Sequence, residues 1–167
     1  MRKVLSCFLL VAWLLVPMVS RAADPLIEWG VGLAKYEGQS GPSFALGVFA
    51  PVESGKIVPG TWIDAWFTNE GKGGFLGQGL FVNLADYVSF RTKGATLSER
   101  GFVLGLNAHA GLRYVDPEGD PSFLAPALHL GLGASGQYAK HLLFAEAFCE
   151  TATRGGPVWG AVVRIPF

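Results

Sequence analysis

The segment from Gly101 to Tyr114, GFVLGLNAHAGLRY, alternates with a period of two along its whole length. Phe102, Leu104, Leu106, Ala108, Ala110, Leu112 and Tyr114 share one parity; Val103, Gly105, Asn107, His109, Gly111 and Arg113 share the other. Successive side chains of a β-strand point to opposite faces. One face is therefore apolar from one aromatic end to the other, and the second is mostly small, polar or charged. A soluble sandwich strand also alternates, but its greasy face has no need of aromatic ends. A strand crossing lipid does, because aromatic rings settle at the headgroup level.

The same pattern recurs. In Leu26–Tyr36, Ile27, Trp29, Val31 and Leu33 oppose Glu28, Gly30, Gly32 and Ala34. In Pro42–Val52, Phe44, Leu46, Val48 and Ala50 oppose Ser43, Ala45 and Gly47. Phe123–Tyr138 sets Leu124, Leu128, Leu130, Leu132 and Ala134 against Ala127, His129, Gly131, Gly133, Ser135 and Gln137. Val158–Phe167 sets Trp159, Ala161, Val163, Ile165 and Phe167 against Gly160, Val162, Arg164 and Pro166. In three further segments charge decides the faces, since Lys or Arg on a lipid face at mid-membrane costs about 2–4 kcal/mol and Asp or Glu somewhat less. Ile57–Thr68 then turns Trp62, Asp64 and Trp66 inward and leaves Ile63, Ala65 and Phe67 outside. Lys140–Thr151 turns Phe144, Glu146, Phe148 and Glu150 inward, with Leu143, Ala145, Ala147 and Cys149 outside. Leu80–Arg91 places Leu80, Val82, Leu84 and Val88 outside, although Asp86 breaks its pattern.

Clusters of Gly, Pro, Asp and Asn separate these segments: residues 37–42, 53–55, 69–74, 93–94, 116–121 and 154–157, with a short connector near Ala139. Such clusters are turn chemistry. Eight strands result, and an even count brings both termini to one side. The expected fold is all-β: an eight-stranded antiparallel up-and-down transmembrane β-barrel. The 23 Gly residues argue against a helical bundle, where each interior Gly costs roughly 1 kcal/mol.

The first 22 residues read as an address. Arg2 and Lys3 precede the apolar run Val4–Val19, and Ser20-Arg21-Ala22 offers small residues before a cut after Ala22. That is the layout of a cleaved signal peptide; the run is short of the ~20 residues of a spanning helix. The barrel domain is then residues 23–167. Its single cysteine, Cys149, leaves no internal disulfide to form. Equal numbers of basic and acidic residues, 13 each, provide no basic field for nucleic acid.

Among the inward positions, Glu28, Asp64, Glu146 and Glu150 would share the lumen with Arg91, Arg113 and Arg164, and with Asn107, His109 and His129. An eight-stranded barrel is only wide enough inside for side chains, so opposite charges there pair and plug it. That opposes an open channel for large solutes. His109 and His129 fall on neighbouring strands, but a dedicated metal site normally takes three or four ligands, so no metal or cofactor is expected. His141, at a strand start, reads as an exposed loop residue, and Cys149 as a buried or lipid-facing thiol. The glycine patterns lack the strand–turn–helix context of a phosphate loop.

The closing strand, with Val163, Ile165 and the terminal Phe167 on one face, resembles the terminal signature of bacterial outer-membrane barrels. That resemblance implies recognition by the barrel assembly machinery. Gly38-Gln39-Ser40-Gly41 with Leu46-Gly47, Gly60…Trp62-Ile63-Asp64-Ala65, and Arg164-Ile165-Pro166-Phe167 are similar to short stretches of the lipid A 3-O-deacylase barrel family. That family's base and nucleophile are a His-x-Ser pair on the penultimate strand. Here the stretch reads Ala147-Phe148-Cys149-Glu150-Thr151, and no His-x-Ser occurs anywhere. A serine hydroxyl without a base in reach is a poor nucleophile.

Two main functions follow. One is a non-enzymatic integral outer-membrane barrel, serving envelope structure or loop-mediated interaction and surrounded by outer-membrane lipid including lipopolysaccharide. The other is a lipid A-modifying hydrolase with a divergent catalytic set. A soluble exported binder of apolar ligands is the third and weakest.

Overall fold

The computed structural model describes residues 26–50, 57–84, 91–92, 95–96, 104–138 and 141–166. The expected signal peptide and Phe167 lie outside the described residues, as do Asp86 and the side chains of Arg91 and His141. The strands are β1 (Leu26–Tyr36), β2 (Gln39–Phe49), β3 (Ile57–Thr68), β4 (Gly71–Asn83), β5 (Arg91–Thr92), β6 (Ala95–Thr96), β7 (Leu104–Pro117), β8 (Phe123–Tyr138), β9 (His141–Ala152) and β10 (Val158–Pro166). Eight of them close into one barrel in the order β1-β10-β9-β8-β7-β4-β3-β2. Every neighbouring pair is antiparallel, and closure is made by β1 against β10, with Val31 opposite Val163. Closure leaves no unpaired strand edge.

Two of the expected strands shift for a clear local reason. The second strand begins at Gln39, not Pro42, because the first hairpin needs only Glu37 and Gly38 to turn. Both have positive φ, 47° and 87°, the signature of a two-residue turn whose twist matches the strands. The fourth strand is Gly71–Asn83, not Leu80–Arg91. Its first nine residues carry Gly71, Gly73, Gly74, Gly77 and Gly79, which have no side chain to display alternation, so this stretch reads as a loop. Once β4 is moved upstream, Arg91 leaves the wall of the barrel. It lies in the separate two-stranded sheet of β5 and β6, opposite Thr96.

The interior is filled by alternating large and small residues, as a narrow barrel requires. Inward glycines make room for rings: a Cβ on Gly105 would meet the Phe81 and Phe144 rings, one on Gly160 the Phe148 ring, and one on Gly47 the Phe49 ring. Trp62, Trp66, Phe75, Val115 and Val158 are almost completely buried. Around them, the wall is reversed relative to a soluble protein. Leu33, Phe44, Leu80, Leu130, Leu132 and Trp159 are all exposed, at 45–63%, while the buried set includes two arginines, two histidines and several carboxylates.

Candidate functional site

The polar centre of the lumen is built from five strands. His109 on β7, His129 on β8 and Glu150 on β9 lie side by side in register, His109 opposite His129 and His129 opposite Glu150. Glu146, four residues before Glu150, points to the same side of β9. Arg164 comes from β10, and Asp64 arrives from β3, on the far side of β4 and β7. Each of these six side chains is buried, as are Asn107 and Arg113. Glu28, on β1, is partly buried at the edge of the group.

Arg164 organises one half. Its guanidinium donates to Glu28 Oε2 from one nitrogen and to Glu146 Oε2 from the other, both at 2.5 Å. Asn107 Nδ2 also donates to Glu146 Oε2. The planar cation packs on the Phe144 ring at 4.1 Å and the Trp62 ring at 4.9 Å, a cation–π environment that suits arginine. Gly131 faces this carboxylate, and any Cβ there would collide with it. The small residue is therefore what admits Glu146 to the centre.

His129 joins this half to the other. Its ring is stacked between Phe148 at 5.1 Å and Phe75 at 5.7 Å. Nε2 faces Glu146 Oε1 at 3.3 Å. Nδ1 faces Glu150 Oε1 at 3.4 Å and Asp64 Oδ2 at 3.8 Å. Trp62 Nε1 donates to Asp64 Oδ2 at 3.0 Å. Arg113 lies nearer the turn end and spends Nη2 on the backbone carbonyls of Arg154 and Gly156, at 3.0 and 2.8 Å. It ties β7 to the β9–β10 connection.

Chemically the group splits by charge. Glu28 and Glu146 share Arg164, whereas Asp64 and Glu150 make no ion pair with arginine or lysine among the described residues. Cys149 alternates to the opposite face from Glu150 and is half-buried and free. The pairing of Asp64 with His129 and Glu150 was not visible in sequence, because β3 and β8 are not neighbours. Following hydrogen-bonded partners round the wall from Asp64 leads through Phe75 and Arg113 to Ala125, four residues short of His129. Strand tilt in a closed barrel makes such offsets, and no local pattern reports them.

The chain is thus a closed eight-stranded up-and-down barrel with a filled, charged lumen. No known family profile matches the sequence, and no curated protein matches it. Solved structures do match by shape. The N-terminal β-barrel domain of Pseudomonas aeruginosa OprF gives a TM-score of 0.50 at 12% identity, covering 86% of this chain and 100% of that one. Neisserial surface protein A (NspA) gives 0.54 at 13%, covering 86% and 96%. At such identities the likeness is one of fold. It brings no support to the deacylase resemblance, whose motif the chain also lacks.

Proposed function

We propose that this protein is an integral outer-membrane β-barrel with a structural, non-enzymatic role in the envelope. One observation carries the reading: the polarity of the barrel is reversed, with large apolar side chains on the outer wall and ionic groups buried within. In water such a wall would drive association, because contiguous exposed apolar surface of this kind is an interaction face. Hydrocarbon is the solvent that fits it, and only helices and closed barrels satisfy every backbone group there. Phe67, Tyr114 and Trp159 are exposed near the end that carries the β3–β4, β7–β8 and β9–β10 turns, and Trp29 near the other, positions that suit aromatic girdles.

The connections favour a role for the wall over one for loops at the turn end. At the end away from the termini, β1–β2 and β3–β4 turn through Glu37-Gly38 and Asn69-Glu70, and the other two span 118–122 and 153–157. That leaves little chain there for grasping a partner. Among the described residues, the buried polar centre presents no exposed hydroxyl beside a histidine with which to attack an acyl chain.

Fractionation tests the proposal. The mature chain is expected in the outer membrane, extractable only with detergent, and shifted in mobility on a gel when boiled. Recovery in soluble periplasmic fluid would overturn it. The lipid A of cells with and without the protein should carry the same acyl chains; a missing acyl chain in the expressing cells would replace the structural role by the hydrolase.

A further inference from the structure

We infer that Asp64, His129 and Glu150 form a binding site for one divalent transition-metal cation of the zinc or manganese class, stapling β3 to β8 and β9 across the lumen. One donor atom from each lies within 4.8 Å of the other two, and all three residues are buried. A nitrogen with two carboxylate oxygens is a donor set such metals accept, whereas magnesium and calcium favour oxygen alone.

The spacing leaves room for an ion. His129 Nδ1 stands 3.4 Å from Glu150 Oε1, a long hydrogen bond, and 3.8 Å from Asp64 Oδ2, beyond one. Ligands at about 2.1 Å from a tetrahedral ion are separated from one another by about 3.4 Å. His129 Nε2 faces Glu146 Oε1 at 3.3 Å, and Glu146 is itself held by Arg164 and Asn107. Carboxylate, histidine and metal in that order is how proteins fix the tautomer of a ligating imidazole.

Two observations point to a positive charge between these carboxylates. Asp64 Oδ1 and Glu150 Oε2 are buried and receive no hydrogen bond from any other described residue, while the two carboxyl groups lie within hydrogen-bond reach of each other, so a proton or a cation must sit between them. The formal charges also fall short by two. Glu28, Asp64, Glu146 and Glu150 face only Arg113 and Arg164 in the described lumen, and Arg113 contacts carbonyls instead of carboxylates. One divalent ion supplies the missing charge at the place where the unpaired carboxylates meet.

The inference does not depend on where the barrel resides, so its failure would leave the membrane proposal intact. The untagged protein, refolded in detergent with chelator and then dialysed against zinc or cobalt, is expected to retain one equivalent of metal by elemental analysis. Cobalt should show the intense visible absorption of tetrahedral coordination, and metal should raise the urea midpoint. Asp64→Asn combined with Glu150→Gln should lose the equivalent and the cobalt band. In chelator, that variant should resist urea at least as well as the parent, since it removes uncompensated charge. Glu28→Gln, outside the triad, should keep the metal. Absence of stoichiometric metal in the parent overturns the site, as does equal retention by the double variant. If the double variant does not fold, as judged by gel mobility, the parent's stoichiometry and cobalt spectrum alone decide.

Discussion

Individual side chains here obey a rule opposite to that of a soluble core, and the consequences are unequal on the two faces. Leu130, exposed on β8, would meet hydrocarbon, so Leu130→Arg should cost about 2–4 kcal/mol in lipid. Glu118→Arg, in the β7–β8 turn, should cost almost nothing. Urea unfolding in phospholipid vesicles measures both. Similar losses for the two would place Leu130 in water. Inside, Arg164→Met should cost about 3–5 kcal/mol, because it strands Glu28 and Glu146 without their shared cation. Adding Glu28→Gln and Glu146→Gln to that change should restore much of the loss, since replacing all partners removes the uncompensated charge. On β7 the face of each residue is readable from parity alone: Asn107, His109 and Arg113 sit inward because Leu106, Ala108 and Leu112 sit outward; for Asp64, Glu146 and Glu150 the cost of charge in lipid is needed as well. The partners of these groups are not readable, because which inward groups meet depends on the offset between strands several places apart.

Strands and turns carried signals of uneven strength. β1, β7, β8, β9 and β10 show alternation in full side chains, and their extents match the pattern within a few residues. β4 does not, because its glycines serve packing: Gly73 lies under the Trp66 ring and Gly77 under the Phe75 ring, so the residues that admit the aromatics also erase the periodic signal. With that signal erased, the pattern points Arg91 into the lumen, whereas it lies outside the barrel sheet. The first hairpin is a cleaner case. Gly38 has φ of 87° and open space where a Cβ would project, so backbone strain alone governs substitution. Gly38→Val should lose about 1–2 kcal/mol, while Gly38→Asn, tolerant of that conformation, should lose much less. If Val and Asn have the same urea midpoint, the turn is not held in the left-handed conformation.

At the scale of the whole molecule, stability and assembly separate cleanly. The barrel closes through β1 and β10, whose register already runs from Lys35 opposite Trp159 to Glu28 opposite Pro166. Phe167 lies outside the described residues, and the resemblance of the closing strand to the terminal signature of outer-membrane barrels assigns it a role in assembly instead of in the sealed wall. Val163 and Ile165 face outward with it by parity, and both also pack within the finished wall, opposite Val31 and Trp29. Deleting Phe167 should therefore leave refolding from urea into detergent unchanged in midpoint and yield. If the barrel assembly machinery reads the terminal aromatic, the same deletion in cells should lower the amount of heat-modifiable barrel in the outer membrane several-fold. Equal loss in both settings would make Phe167 a structural residue of the closing seam, and no loss in either would remove it from the assembly signal and leave the apolar wall as the sole determinant of insertion.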